Sequence, residues 1–219
     1  MKKNVIWGVI VILVIILLFV LKPIAKSGPL DVTVPWPKST RHVELFELYA
    51  KDLGLDVEKF KSDYASDEIY ERVMTDSSDA ISAGIKSTPT ILINGKQVSN
   101  EDRRYEGIRK LLNAELASPS THTGLIPALR ESDHTLGLAG SKVVLYEYSD
   151  FECSACLSFL PVMQTLETEF DDRVLFVYRH LPLYPQPHPK SIDAAKASEA
   201  ASKQGKFWEM HDKLFENQQ

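Results

Sequence analysis

Cys153 and Cys156 are the only cysteines in this 219-residue chain, and they stand three residues apart as Cys153-Ser154-Ala155-Cys156. Such a pair supports two kinds of chemistry. In the first turn of a helix, unpaired backbone N–H groups and the positive end of the helix dipole stabilise a thiolate. Residues i and i+3 share a helix face, so the second sulfur can reach the first and the pair becomes a redox-active dithiol. The same spacing also offers two of the four ligands of a tetrahedral zinc site. No further cysteine and no H-x₃₋₅-H pair completes that site, although His180 and His188 are available to zinc or copper. Plain packing cysteines are the third option. A structural disulfide framework is excluded, because no other cysteine is present.

The elements that must position the pair are legible around it. The run 143–148 (VVLYEY) reads as a strand delivering the chain to a helix that begins at the dithiol. Residues 173–180 (RVLFVYRH) read as a second strand, alternating around Val174, Phe176 and Tyr178, and the proline-bearing stretch 182–189 as a loop. Residues 191–217 read as helix with a break near Gly205. Its early part is rich in alanine (Ala194, Ala195, Ala197, Ala200, Ala201), which suits a close helix–helix contact. Upstream, Ser39 or Thr40 is placed to cap a helix through Leu53. Asp56 caps a second helix at 57–64, and Ser66 a third at 67–83 closed by Gly84. Two β-rich runs flank Asn94-Gly95 and predict a hairpin with a type I′ turn. A helix at 102–116 follows, and 117–133 reads as a linker with one helical turn near 126–130. Trp36 and Trp208 read as packing residues. His42, His134 and His211 have no recognisable partner in the sequence and read as surface or cap positions.

Composition is that of a globular protein, with 44% apolar and 25% charged residues. An unbroken apolar run at 5–21 follows Lys2 and Lys3, which predicts a transmembrane signal anchor with the N-terminus cytoplasmic and the rest of the chain extracytoplasmic. A cleaved signal or lipoprotein-like export is the alternative, although no lipidation cysteine exists and Pro23 suits cleavage after Ala25 poorly. Residues 27–38 read as a tether. Without residues 1–26 the chain keeps 21 basic against 30 acidic side chains, which argues against nucleic acid and anionic lipid surfaces as partners. An exported dithiol lies where disulfides persist.

Several positions resemble the DsbA-like thioredoxin-fold disulfide oxidoreductases. Pro161 falls five residues after Cys156, where the family bends its active-site helix. Glu147, six before Cys153, occupies the place of the family's buried acid. The run 146–153 (YEYSDFEC) is similar to its active-site entry, 84–90 (GIKSTPT) to its cis-proline loop, and INGK to the hairpin that follows. The resemblance covers about 39–116 and 135–219, and it departs from the family in order: Pro89 precedes Cys153 by 64 residues instead of following it. Residues 39–116 read as the C-terminal half of the domain (later insertion helices, cis-proline hairpin, last helix). Residues 135–219 read as the N-terminal half (first strand, C-x-x-C helix, second strand, first insertion helices). The expected fold is therefore an α/β, circularly permuted thioredoxin-like domain with a helical insertion, behind the N-terminal helix. The linker 117–134 can span up to roughly 60 Å, enough to close the domain on itself. A swapped dimer or open array and a truncated tandem are the competing topologies.

The resemblance implies a membrane-anchored thiol–disulfide oxidoreductase acting on cysteine-containing exported proteins, with a membrane or soluble redox partner and no cofactor. Cys153 would be the exposed nucleophile and Cys156 the resolving thiol. A cis Thr88–Pro89 bond would hold a backbone edge for substrate beside the sulfurs, and Glu147 would accept protons. Ser154-Ala155 lacks the histidine that DsbA-like oxidants often carry before the second cysteine, so the resemblance does not extend to strong oxidant character. The alternative function is a thioredoxin-like binding, chaperone or copper/zinc module with a non-catalytic dithiol.

Overall fold

The computed structural model describes residues 42–120, 128–184 and 188–218. Three helices open it: α1 (His42–Asp52), α2 (Val57–Tyr64) and α3 (Asp67–Ser82). Their starts are fixed by side-chain caps. The Asp56 carboxylate accepts the Lys59 N–H at 3.0 Å and the Ser66 hydroxyl accepts the Ile69 N–H at 3.3 Å. Gly84, at φ 79°, ends α3 in the left-handed conformation that glycine adopts without steric cost.

Strands β1 (Thr90–Ile93) and β2 (Lys96–Gln97) form the hairpin, with Asn94 at φ 47° and Gly95 at φ 80°, as a type I′ turn requires. Asn94 has a second task. Its side chain accepts the Val144 N–H at 2.9 Å and donates to the Lys142 carbonyl at 3.1 Å, pinning the hairpin to a strand fifty residues later. Then follow α4 (Tyr105–Ala117), β3 (His134–Gly137), β4 (Val144–Ser149), α5 (Ser154–Phe170), β5 (Leu175–His180), α6 (Ser191–Ser202) and α7 (Phe207–Glu216). The five strands make one mixed sheet in the order β2-β1-β4-β5-β3, with only β4 and β5 parallel. Residues from before and after the linker thus share a single sheet.

Successive residues of β4 point to opposite sides. Leu145, together with Ile91, Ile93 and Phe176, packs against α4 and α5 through Ile108, Leu112, Met163 and Leu166. Tyr146 and Tyr148, with Leu92 and Val177, face Ala80 of α3. A third cluster holds α1, α2, α6 and α7 together through Phe46, Phe60, Ala197 and Leu214, and reaches Cys153 and Cys156. Polar contacts span the same join. Asp193 of α6 takes hydrogen bonds from His42 at 2.8 Å and Tyr64 at 2.9 Å.

Several expectations shift. The helix expected from 102 begins at Tyr105, because Asp102 turns back onto Gly107, where a Cβ would stand 2.3 Å from the Asp102 carbonyl oxygen. His134, read as part of the linker, opens β3, a strand the sequence reading lacked. Residues 128–130 are not helical. The second strand starts at Leu175, and all six of its residues are buried, because β5 lies inside the sheet with side chains packed on both faces. Three histidines gain partners or burial: His42 meets Asp193, His134 meets Glu199, and His211 is enclosed. No described helix is long and apolar enough to cross a membrane. The expected span at 5–21, the tether, the Ser39/Thr40 cap and Trp36 lie outside the described residues.

Candidate active site

Cys153 is the N-cap of α5, with extended backbone angles (φ −80°, ψ 112°), and Cys156 lies one turn on. Strand β4 brings the chain here, and two bonds shape the entry: the Cys153 N–H reaches the Asp150 carbonyl at 3.0 Å, and the Asp150 carboxylate accepts the Glu152 N–H at 2.8 Å. The other oxygen of Asp150 accepts from the Leu183 N–H at 2.8 Å and faces His188 Nδ1 at 2.6 Å, which fastens the loop after β5 beside the dithiol. Pro161 lies inside α5 and removes one backbone donor from its second turn.

The Thr88–Pro89 peptide bond is cis, and both residues are buried. The Cys153 thiol donates to the Thr88 carbonyl at 3.4 Å, so the two chain segments meet at the sulfur. The loop is held from behind by Arg103, which donates to the Pro89 carbonyl, and by the Thr90 hydroxyl, which donates to Ser87 O at 2.7 Å. This cover changes one expectation. Cys153 is only 7% exposed, against 1% for Cys156, so the first sulfur is the more accessible of two buried thiols rather than an open nucleophile.

Electrostatics separate the two sulfurs. A hydrogen bond from the Cys156 thiol pulls the Cys153 pKa down to about 5 against the opposing effect of burial, and the Thr88 side chain and the N–H groups of Cys156 and Ala155 add to it. Burial, then the neighbouring Cys153, drive Cys156 strongly upward. One thiol is prepared to ionise and the other to hold its proton.

Glu147 lies beneath on β4, 8% exposed, level with Ile91 on one side and Tyr178 on the other. Burial first, and then the Glu167 carboxylate, raise its pKa to about 8. Its charge is felt at Cys156. Glu167 itself is raised to about 7 by burial and by Asp212. Both carboxyls line one cavity of about 10 Å³, together with Tyr178, Trp208 and His211, room for about one water molecule. Sequence reasoning missed Glu167. The signal was present: Cys156, Leu160, Met163 and Glu167 follow at four-, three- and four-residue steps, so a carboxyl interrupts the inward stripe of α5.

A sheet with a C-x-x-C helix N-terminus meeting a cis-proline loop is a thioredoxin-like α/β architecture. The thioredoxin family model matches residues 35–114 and 130–219, and the chain belongs to that family. It is also similar to longer proteins. The Na(+)/H(+) antiporter NhaA 1 of Mycolicibacterium vanbaalenii is 45% identical over 94 residues, covering 43% of this chain and 15% of that protein. The NhaA 1 of Mycobacterium sp. (strain KMS) is 43% identical over 104 residues, 46% of this chain and 17% of the relative. The NhaA of Herminiimonas arsenicoxydans is 40% identical over 92 residues, 42% and 14%. The chain thus spans about a sixth of the length of the curated relatives it matches.

Proposed function

We propose that the chain is a DsbA-like protein thiol–disulfide oxidoreductase whose domain is circularly permuted, tethered by its N-terminal apolar run and acting on exported proteins. The observation that carries this reading is the Cys153 thiol at a helix N-terminus, 3.4 Å from the Thr88 carbonyl of a cis-proline loop, with its pKa lowered and that of Cys156 raised. Permutation is supported by β1, which comes before the dithiol in the chain yet pairs with β4.

In the reducing direction the Cys153 thiolate attacks one sulfur of a substrate disulfide. A mixed disulfide forms, and the other substrate sulfur leaves as a thiolate that takes a proton from solvent. Cys156 then loses its proton, attacks Cys153 Sγ and expels the second substrate thiolate. The enzyme ends as a disulfide and the substrate as two thiols. The reverse sequence oxidises the substrate. Glu147 is the nearby carriage for the Cys156 proton. With a pKa about 8 it is mostly protonated at pH 7, so it accepts only from its ionised minority and donates readily when Cys156 leaves as a thiolate. Thr88 and Pro89 present the backbone edge against which a substrate strand pairs.

The shared stretch with the antiporters supports a common module rather than a common transport activity, since it is a small part of each relative. The decisive experiment compares insulin reduction and refolding of a reduced disulfide protein by the wild type and Cys153→Ser. Loss of both by at least about a hundredfold is expected, and unchanged activity sinks the proposal. Alkylation of Cys153 should reach its plateau rate by pH 7, whereas a rate still climbing through pH 9 would contradict the lowered pKa.

A further inference from the structure

Away from the dithiol, three side chains of metal-ligand type converge from three separate elements. His134 comes from β3, His180 from the end of β5 and Glu199 from α6. His134 Nε2 and His180 Nε2 each lie 2.9 Å from the same atom, Glu199 Oε1. One ligand atom from each residue falls within 4.8 Å of the other two. We propose that His134, His180 and Glu199 bind a zinc-like divalent transition metal, with an open coordination position toward the adjoining cavity.

The chemistry of the donor set selects the ion. Two imidazoles with one carboxylate suit zinc and its neighbours rather than calcium or magnesium, which take oxygen ligands. Three protein ligands leave tetrahedral zinc one position short. His134 and Glu199 line a cavity of about 380 Å³ shared with Arg72, Thr75, Ser132 and Lys203, which gives that position somewhere to open. At metal–ligand distances of about 2.0–2.1 Å, tetrahedral ligand atoms stand roughly 3.3 Å apart, so each 2.9 Å Nε2–Oε1 contact loosens by a few tenths of an ångström while the two imidazole nitrogens, within 4.8 Å of each other, settle to a similar spacing.

Two cations face the site. Arg72 Nε is 3.7 Å from Glu199 Oε1, but Asp76 balances it at 2.7 Å from Nη1, and Lys203 pairs with Glu68. The competing account is a purely hydrogen-bonded trio, in which both imidazoles donate N–H to one carboxylate. The two accounts differ in a measurable way, since metal binding requires both Nε2 atoms to shed their hydrogens.

The test uses the full chain carrying Cys153→Ser and Cys156→Ser, so that the dithiol cannot bind the probe. Cobalt(II) is titrated in and then displaced with zinc. One ion per chain is expected, with no thiolate-to-metal charge-transfer band, weakened at least about a hundredfold in His134→Ala and in Glu199→Gln. Zinc at a hundredfold excess over its dissociation constant should raise the wild-type melting temperature by about 5 °C and that of either variant by no more than about 1 °C. Failure of the wild type to bind either ion at sub-millimolar concentration overturns the proposal, as does unchanged binding in a variant whose circular dichroism is native. The wild-type titration decides by itself if a variant fails to fold. Because it is read with the dithiol removed, its outcome is independent of the redox function.

Discussion

The two faces of β4 and β5 both bury titratable groups and treat them in opposite ways. On the face toward α5, Glu147 lies beside another carboxyl and Tyr178, without a cation, and its pKa climbs to about 8. On the opposite face Arg179, fully buried, binds Asp133 through Nε at 2.9 Å and Nη2 at 2.8 Å and reaches the Tyr148 hydroxyl at 3.2 Å. Asp133 is buried too. Burial raises its pKa, but the Arg179 hydrogen bonds and Arg130 win, and the net shift is downward. Burial alone therefore does not decide a carboxyl's behaviour; the sign comes from its partner. The face without a cation partner is the one beneath the dithiol, where the proposed exchange would move a proton. The paired face ties α3, β5 and the segment around Asp133 together, with Asp76 taking Arg130 and the His180 N–H.

The largest expected effect breaks the paired face. Arg179→Ala leaves the Asp133 carboxylate buried with half its partners gone and should cost about 3–5 kcal/mol in urea unfolding. A loss under 1 kcal/mol would mean that the ion pair is replaceable by solvent and that the two faces do not differ as described.

Next comes Glu147→Gln. The folded pKa of Glu147 lies above the unfolded value of 4.5, so the folded state holds a proton that the unfolded state has released. Stability contributed by that proton is full below pH 4.5 and lost as pH rises toward about 8. The loss across this window is a few kcal/mol, and the glutamine variant should remove much of the decline while slowing thiol exchange roughly tenfold or more at pH 7. Parallel stability curves for variant and wild type would argue that the carboxyl is solvated. Glu167→Gln should act in the same direction but less, because its pKa reaches only about 7. Asp133, shifted downward, contributes the opposite limb: its stabilisation is present above its ordinary value near 3.8 and is lost as pH falls below it.

The smallest effect belongs to the surface. Lys59 and Asp63 pair at 2.6 Å on exposed α2, and Lys59→Ala should change stability by no more than about 0.5 kcal/mol. A larger change would show that the contrast between faces is less sharp than the solvent around this pair suggests.

Local chemistry was legible in the sequence, and pairing at a distance was not. The caps Asp56 and Ser66, the Asn94-Gly95 turn and the break at Gly205 each depend on residues within a few positions of one another, and all stand in the structure. Strand β3 escaped because four residues, His-Thr-Leu-Gly, carry too little alternation to register. It exists through its pairing with β5, forty residues on. Gly137 closes it at φ 83°, where a Cβ would meet the Val174 carbonyl oxygen at 2.2 Å. The Arg179–Asp133 pair and the Glu199 trio join residues 19 to 65 positions apart, which no periodicity reveals. The dithiol is legible by type and spacing and Glu147 and the Thr88–Pro89 loop through the resemblance to the DsbA-like family, whereas the enclosure of Cys153 could be seen only once the loop was in place.

The antiparallel match of Thr90–Ile93 with Leu145–Tyr148 has a consequence for biosynthesis. A ribosome releases the hairpin more than fifty residues before the strand that covers its inner edge. At about 5–20 residues per second, that edge stays open for several seconds in every nascent chain. Four apolar-to-threonine residues with free N–H and C=O groups are then a docking edge for any neighbouring strand. Quality control of this protein is thus a matter of timing at the exit tunnel, and slowing translation between Ile93 and Val144 should increase aggregation of the nascent chain.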